Sequence, residues 1–156
     1  MPLTAPLPRI SVSVKAAVIR EGAVLLLSYD DHSGFHYNLP GGKARTGERL
    51  REAVRRKVAE ETGLDVVARR LLGVVEYVPS SWNGEFGDVQ KVQFNFLAES
   101  LDHAEPRMSD PPDPIQVGFE WLPVDRLPEV YLLPRINQPL LSALRGELDD
   151  PFMDTW

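Results

Sequence analysis

The sequence of 156 residues contains no cysteine, and this absence excludes several kinds of chemistry at once. Disulfide bonds, zinc–thiolate sites, iron–sulfur clusters and a thiol nucleophile all require cysteine. Only three histidines occur, at positions 32, 36 and 103, and they are too scattered to predict a histidine-based metal site. Long apolar runs are also missing, since none approaches the roughly 18 residues that a membrane-spanning helix needs. We therefore expect a cytoplasmic protein without a membrane partner.

Positive charge is scarce relative to negative charge. Seventeen Lys and Arg residues stand against twenty-three Asp and Glu residues, so the formal net charge is −6. Such a chain repels nucleic acid and anionic membrane surfaces at long range, and we expect neither as a partner. A phosphorylated small molecule still fits, because a bound divalent cation supplies positive charge locally.

The rest of the composition favours a single folded domain. Hydrophobic residues make up 43% and charged residues 26% of the chain, as in soluble globular proteins. A chain of this length is short for two domains. We divide it into a flexible, proline-rich N-terminus (1–10), one domain (11–148) and a C-terminal tail (149–156).

The spacing of apolar residues predicts the order of the secondary structure elements. Alternation in Ser11–Ile19 predicts a half-buried strand, and the apolar run Ala23–Ser28 predicts a second strand that pairs with it. Apolar residues at intervals of four predict a helix over 48–62. The predicted order is β-β-β-α-β-β-β-α, which indicates an α/β fold with a central sheet between two main helices.

Two adjacent carboxylates near the end of the first predicted helix suggest a metal site. Lys57 precedes Glu60 and Glu61 by three and four residues, so all three are predicted on one side of the helix. Clustered carboxylates suit Mg²⁺, and the preceding loop Gly41–Gly47 contains three glycines that allow close approach of its backbone. Taken alone, the same pattern also fits an acidic helix face exposed to solvent.

The segment from Gly42 to Leu64 resembles the signature of the Nudix hydrolases, G-x5-E-x7-R-E-U-x-E-E-x-G-U, in which U is aliphatic. Two further segments, Leu39-Pro40-Gly41 and 118–123, also look like parts of this family. Eight of the nine specified positions match: Gly42, Glu48, Arg56, Val58, Glu60, Glu61, Gly63 and Leu64.

The resemblance implies a Nudix-type α/β/α sandwich with a mixed central sheet. It also implies a hydrolase that uses Mg²⁺ or Mn²⁺ to cleave a phosphoanhydride bond of a nucleoside diphosphate linked to another moiety. Carried over to this chain, it assigns Glu60, Glu61 and the carbonyl of Gly41 as metal ligands. Glu48 and Arg56 would pair and orient the glycine loop against the helix.

One position departs from the signature, because Lys57 replaces its second glutamate. In the family this glutamate commonly binds metal, and a protonated lysine cannot do so; nor is it a good general base. Two interpretations follow: an enzyme whose base lies elsewhere, or a catalytically weak or inactive nucleotide-binding module. The acids considered as the alternative base are Glu76, Glu85, Asp88 and Glu120.

The resemblance implies a nucleotide-like small molecule as substrate, and aromatic residues in or beside loops are the expected contacts for its base. We predict Phe35, Tyr37 and Trp82 in this role, because aromatic faces stack on nucleobases. His32 and His36 precede the glycine loop and are either phosphate contacts or surface residues. The resemblance does not specify which nucleotide is cleaved, and the chain acts either alone or as a homodimer.

Overall fold

The computed structural model describes residues 9–154 and contains two α-helices, α1 (Leu50–Thr62) and α2 (Asn137–Leu144). Short 3₁₀ helices cover Pro79–Ser81 and Val124–Glu129. The strands are β1 (Ser11–Arg20), β2 (Ala23–Asp31), β3 (Gly34–Asn38), β4 (Gly41–Lys43), β5 (Val66–Tyr77), β6 (Lys91–Ser100), β7 (Gln116–Pro123) and β8 (Phe152–Met153).

The sheet is mixed and is organised around β1. This strand runs parallel to β6, from Ser11 opposite Lys91 to Val18 opposite Ala98, and its other edge pairs with β4. Beyond β6 the order continues with β5 and β8, whereas β2 pairs with both β3 and β7. The predicted pairing of β1 with β2 is confined to their adjoining ends, because β4 occupies the rest of that edge.

The two helices cover opposite faces of the sheet, which confirms the predicted α/β/α sandwich. Neighbouring side chains of a strand point to opposite faces, so Ala16 packs in the core under α1 and Ala17 in the core under α2. Val54 and Val58 of α1 and Leu140 of α2 are fully buried. None of the helices in residues 9–154 is both long and apolar enough to cross a membrane.

The described part of the C-terminal segment packs on the sheet. The C-terminal segment was expected to be a tail, yet its described part contributes β8, and Met153 is buried against β5. Gly73 provides the space, because a Cβ at this position would collide with Met153 Cε. Residues 1–8, which make up most of the predicted flexible N-terminus, and residues 155–156 lie outside the described part of the chain.

Candidate active site

The glycine loop begins with β4, which lies directly against β1. Gly41 stands opposite Lys15, at a φ of +151°, and a Cβ there would collide with the carbonyl oxygen of Val14. A Cβ on Gly42 would collide with the aliphatic part of Lys57. Glycine at both positions therefore allows the loop to lie between β1 and α1.

Arg56 fixes this loop to α1. Its guanidinium donates from Nε to Glu48 Oε2 at 2.6 Å, and from Nη2 to Glu48 Oε1 at 2.9 Å and to the carbonyl of Lys43 at 3.0 Å. The hydrogen bonds from Arg56 lower the pKa of Glu48 to about 2, and Glu48 in turn raises the pKa of Arg56. The structure thus brings Glu48 and Arg56 together in a bidentate pair, the strongest common ion-pair geometry.

Glu60 is surrounded by cations. Arg56 Nη1 and Lys57 Nζ donate to its two oxygens at 3.1 and 3.2 Å, and Arg45 Nη2 lies 3.8 Å away. Partial burial alone would raise the pKa of Glu60, but the hydrogen bonds from Arg56 and Lys57 bring it below its ordinary value. We call this group the ion-pair network; its members are Arg45, Glu48, Arg56, Lys57 and Glu60.

Glu61 has different surroundings from its neighbour. Its Oε1 accepts a hydrogen bond from the backbone N–H of Gly41 at 2.6 Å, and its side chain lines a cavity of about 460 Å³. Consecutive helical residues are about 100° apart around the axis, which separates the partners of the two carboxylates. Lys57, predicted on the same side as both, pairs with Glu60.

The cavity next to Glu61 is strongly acidic. Lys15 is the one lysine or arginine among the described residues that line it. Two of the four acids proposed as an alternative base line this cavity, whereas Glu76 and Glu120 do not. The carboxylates that line it are Asp31, Glu61, Glu85, Asp88 and Asp113.

His36 is a buried wall of the cavity rather than a surface residue. Its ring stacks on Tyr29, with centroids 5.7 Å apart and planes 17° apart, and also contacts the ring of Tyr131. Its Nδ1 is 3.0 Å from the carbonyl oxygen of Gly34. His32 lines the same cavity, so both histidines predicted near the glycine loop face this space.

The three aromatic residues predicted to bind substrate do not line this cavity. Phe35 and Tyr37 flank His36 in β3, and strand alternation turns them to the other face, where their rings meet edge to face at 5.2 Å. Tyr37 donates a hydrogen bond to Glu120; burial and this bond raise the pKa of Tyr37 to about 12. Trp82 lines a separate cavity of about 300 Å³.

Lys15 is a cation of this cavity that sequence reasoning missed, as it also missed the acids Asp31 and Asp113. It is half-buried, and desolvation lowers the pKa of its ammonium to about 8, although Glu61 opposes this shift. The alternation of β1 placed Lys15 on the polar side of the strand. That side is covered, since Ser13 is only 5% exposed and Asn95, opposite Lys15 on β6, is fully buried.

The predicted metal ligands are chemically suited to one Mg²⁺ or Mn²⁺ ion. No group of three or more His, Cys, Asp or Glu side chains within residues 9–154 is arranged to hold a metal. The predicted set has two carboxylates, from Glu60 and Glu61, and the carbonyl of Gly41. Mg²⁺ is commonly bound through one or two carboxylates, with waters and phosphate oxygens as its other ligands. The donor set fits such an ion.

Two curated relatives resemble the chain in sequence. Over 113 residues it is 28% identical to the oxidized purine nucleoside triphosphate hydrolase of Danio rerio, covering 71% of this chain and 65% of the relative. Over 137 residues it is 29% identical to the NAD-capped RNA hydrolase NudC of Vibrio atlanticus (strain LGP32), covering 86% of this chain and 45% of the relative. The chain therefore spans less than two thirds of either relative's length.

Structural similarity supports the same fold. A NUDIX hydrolase from Nitrosomonas europaea superimposes with a TM-score of 0.72 at 20% identity, covering 92% of this chain and 93% of that one. The model of the NUDIX domain matches residues 9–144, which is most of the chain. The resemblance seen in the sequence is thus confirmed, and the chain belongs to the NUDIX domain family.

Proposed function

We propose that this chain is a divalent-cation-dependent hydrolase of a phosphoanhydride bond in a nucleoside diphosphate linked to another moiety. One observation carries the proposal: Glu61, which accepts a hydrogen bond from the N–H of Gly41 in the glycine loop, lines a cavity that also contains Lys15. Both curated relatives have names that denote hydrolysis of nucleotide compounds, which supports this reaction class.

Glu60, Glu61 and the carbonyl of Gly41 would hold Mg²⁺ or Mn²⁺. When bound, this ion neutralises phosphate charge and makes a coordinated water more acidic. The chain's own residues position the metal ligands. Arg56 binds both Glu48 and the carbonyl of Lys43 in the loop, so the ligand atoms on the loop and on α1 keep a fixed separation. Fixed donors stabilise developing charge without having to reorganise.

Hydrolysis adds water across the phosphoanhydride. The water oxygen forms a bond to one phosphorus as the bond from that phosphorus to the bridging oxygen breaks. The bridging oxygen leaves with the electron pair as part of the second phosphate, and the proton of the water passes to a carboxylate. Lys57 cannot accept this proton while protonated, so the acceptor must be an acid of the cavity.

We assign the proton acceptor to Asp88. Glu85 receives hydrogen bonds from the hydroxyl of Tyr131 and from Nε of Arg135, so its charge is already used to position the loop. Asp88 lines the same cavity and accepts no hydrogen bond within residues 9–154. A carboxylate without partners is free to take up a proton from water.

The second candidate function is a nucleotide-binding module with weak or no catalysis. Lys57 favours it, because this lysine lies over Gly42 and pairs with Glu60 where the family signature has a glutamate. A module of this kind would bind nucleotides in the cavity and release no product.

A substrate screen separates the two functions. Nucleoside triphosphates including an oxidized purine, sugar nucleotides, dinucleotides and ADP-ribose are incubated with Mg²⁺, Mn²⁺ or EDTA. The expected result is a phosphate-containing product with metal and none with EDTA. Nucleotide binding without hydrolysis under every condition would establish the module instead. We expect a small nucleotide rather than nucleic acid because of the net charge of −6.

A further inference from the structure

The cavity contains an unusual balance of charge. Among the residues that the structure describes, five carboxylates and a single lysine line it, and this lysine, Lys15, is on the central strand β1 rather than on a surface loop. Most lysines on a strand extend to solvent, where the ammonium is hydrated. This one is half-buried and opens onto the cavity.

The ammonium of Lys15 has no partner of its own. Within residues 9–154 its side chain makes no hydrogen bond and no ion pair, although Glu61 exerts an attraction on it. Removing an ammonium from water without pairing it is costly, so the site is destabilising in the absence of a ligand. Ionisable groups that are desolvated in a cleft cluster at functional sites.

The placement of Lys15 also differs from that of Lys57. Lys57 Nζ is bound to Glu60 at 3.2 Å, so its charge is largely neutralised within the ion-pair network. Lys15 stands opposite Gly41, whose N–H holds Glu61. An anion bound in the cavity beside Glu61 would therefore lie next to an unpaired ammonium.

We propose that Lys15 binds a phosphate group of the substrate directly and is the principal cation that this chain itself contributes to phosphate binding. The inference rests on the proposed function, because it takes the cavity as the site of a phosphorylated ligand. Lysine is a suitable phosphate binder as a compact point charge.

Inorganic pyrophosphate is the probe, since it presents two phosphates without a base. Its binding to the full chain is measured by calorimetry in EDTA and again in Mg²⁺, for the wild type and Lys15→Met. We expect affinity to fall at least tenfold in the variant under both conditions, which corresponds to about 1.4 kcal/mol. Lys15→Arg keeps the charge and should retain most of the affinity.

Lys91 offers a matched control. It is another half-buried lysine with a lowered pKa, also caused by burial, and its Nζ lies 4.3 Å from the centroid of the Phe86 ring. It is not among the residues that line the cavity. Lys91→Met removes the same charge nearby and should change pyrophosphate affinity less than threefold.

Thermal denaturation supplies a second readout. Lys15→Met should unfold a few degrees above the wild type without ligand, because an unpaired buried charge is gone, and should lose the stabilisation by pyrophosphate. A variant that is merely damaged would unfold at a lower temperature.

Several results would overturn the inference: no pyrophosphate binding by the wild type in either condition, equal binding by Lys15→Met, or equal losses in Lys15→Met and Lys91→Met. Failure of the proposed function is distinguishable, because the screen would then show no hydrolysis while the lysine-dependent binding of pyrophosphate persisted.

Discussion

Glu60 and Glu61 are neighbours in α1, yet they belong to two electrostatically different regions. In the ion-pair network each charge has a partner from the chain: Glu60 is paired with Arg56 and Lys57. In the cavity, Lys15 and Asp88 have none within residues 9–154. A region whose charges satisfy one another holds structure, whereas a region in which a lysine and an aspartate are left unpaired requires a ligand to complete it.

The largest expected loss of activity should follow from removing the proposed base in the cavity. Asp88→Asn keeps the shape of the side chain but removes its basicity, so we expect kcat to fall by about 10²–10⁴-fold. Steady-state kinetics on the substrate found in the screen measures this. Glu85→Gln is the comparison, and its loss should appear mainly in KM because Glu85 positions the loop through Arg135. An unchanged kcat in Asp88→Asn would remove Asp88 from the reaction.

Converting the network towards the family signature should alter metal affinity. Lys57→Glu replaces an ammonium by a carboxylate next to Glu60, so we expect Mg²⁺ or Mn²⁺ to bind at least about tenfold more tightly, or about 1.4 kcal/mol. Without metal, the same variant should be modestly less stable, since like charges on one helix face repel. Calorimetric titration of the wild type and of Lys57→Glu with metal measures the two affinities. Equal metal affinity would show that residue 57 does not contribute to the metal site.

Breaking the pair of Arg56 and Glu48 should lower stability and activity together. Arg56→Ala removes the hydrogen bonds to Glu48 and to the carbonyl of Lys43, so we expect a melting temperature lower by several degrees and turnover reduced several-fold. Arg56→Lys should restore little, because a lysine cannot reproduce the bidentate pair. If Arg56→Ala changed neither quantity, the pair would be a surface contact without structural consequence.

The smallest expected effect is the pH dependence of the stability that the pair of Arg56 and Glu48 contributes. Glu48 has a pKa of about 2 in the folded chain against an ordinary value of 4.5. Its folded pKa is depressed, so its contribution to stability is complete above about pH 4.5 and is lost as the pH falls towards 2. The difference in melting temperature between wild type and Glu48→Gln should shrink across that window. A difference independent of pH would show that the charge of Glu48 is immaterial.

The sequence predicted well the elements that have a periodic apolar pattern. The expected bounds of α1 and β1 lie within two residues of those observed, because their buried faces impose regular spacing. It did not predict β4, whose three residues, Gly41–Lys43, have poor strand propensity. This strand exists through its pairing with β1, a contact between distant parts of the chain.

The site was predictable only where its residues belong to one short segment. The pairing of Glu48 with Arg56 followed from the signature, whereas the cavity combines residues from distant loops and strands, such as Asp31, Asp88 and Asp113. Alternation placed Lys15 on the right side of β1 but did not reveal that this side is covered. The same alternation, applied to β3, would have separated His36 from Phe35 and Tyr37.

The central claim is that Glu61 is the carboxylate of α1 that lines the cavity, whereas Glu60 is held in the ion-pair network and is the secondary metal ligand. The most direct test compares kcat of Glu61→Gln and Glu60→Gln at saturating Mg²⁺. We expect a loss of about a hundredfold or more for Glu61→Gln, which removes a positioned charge from the cavity, and about tenfold or less for Glu60→Gln. Equal losses in both variants, or full activity in Glu61→Gln, would contradict the account.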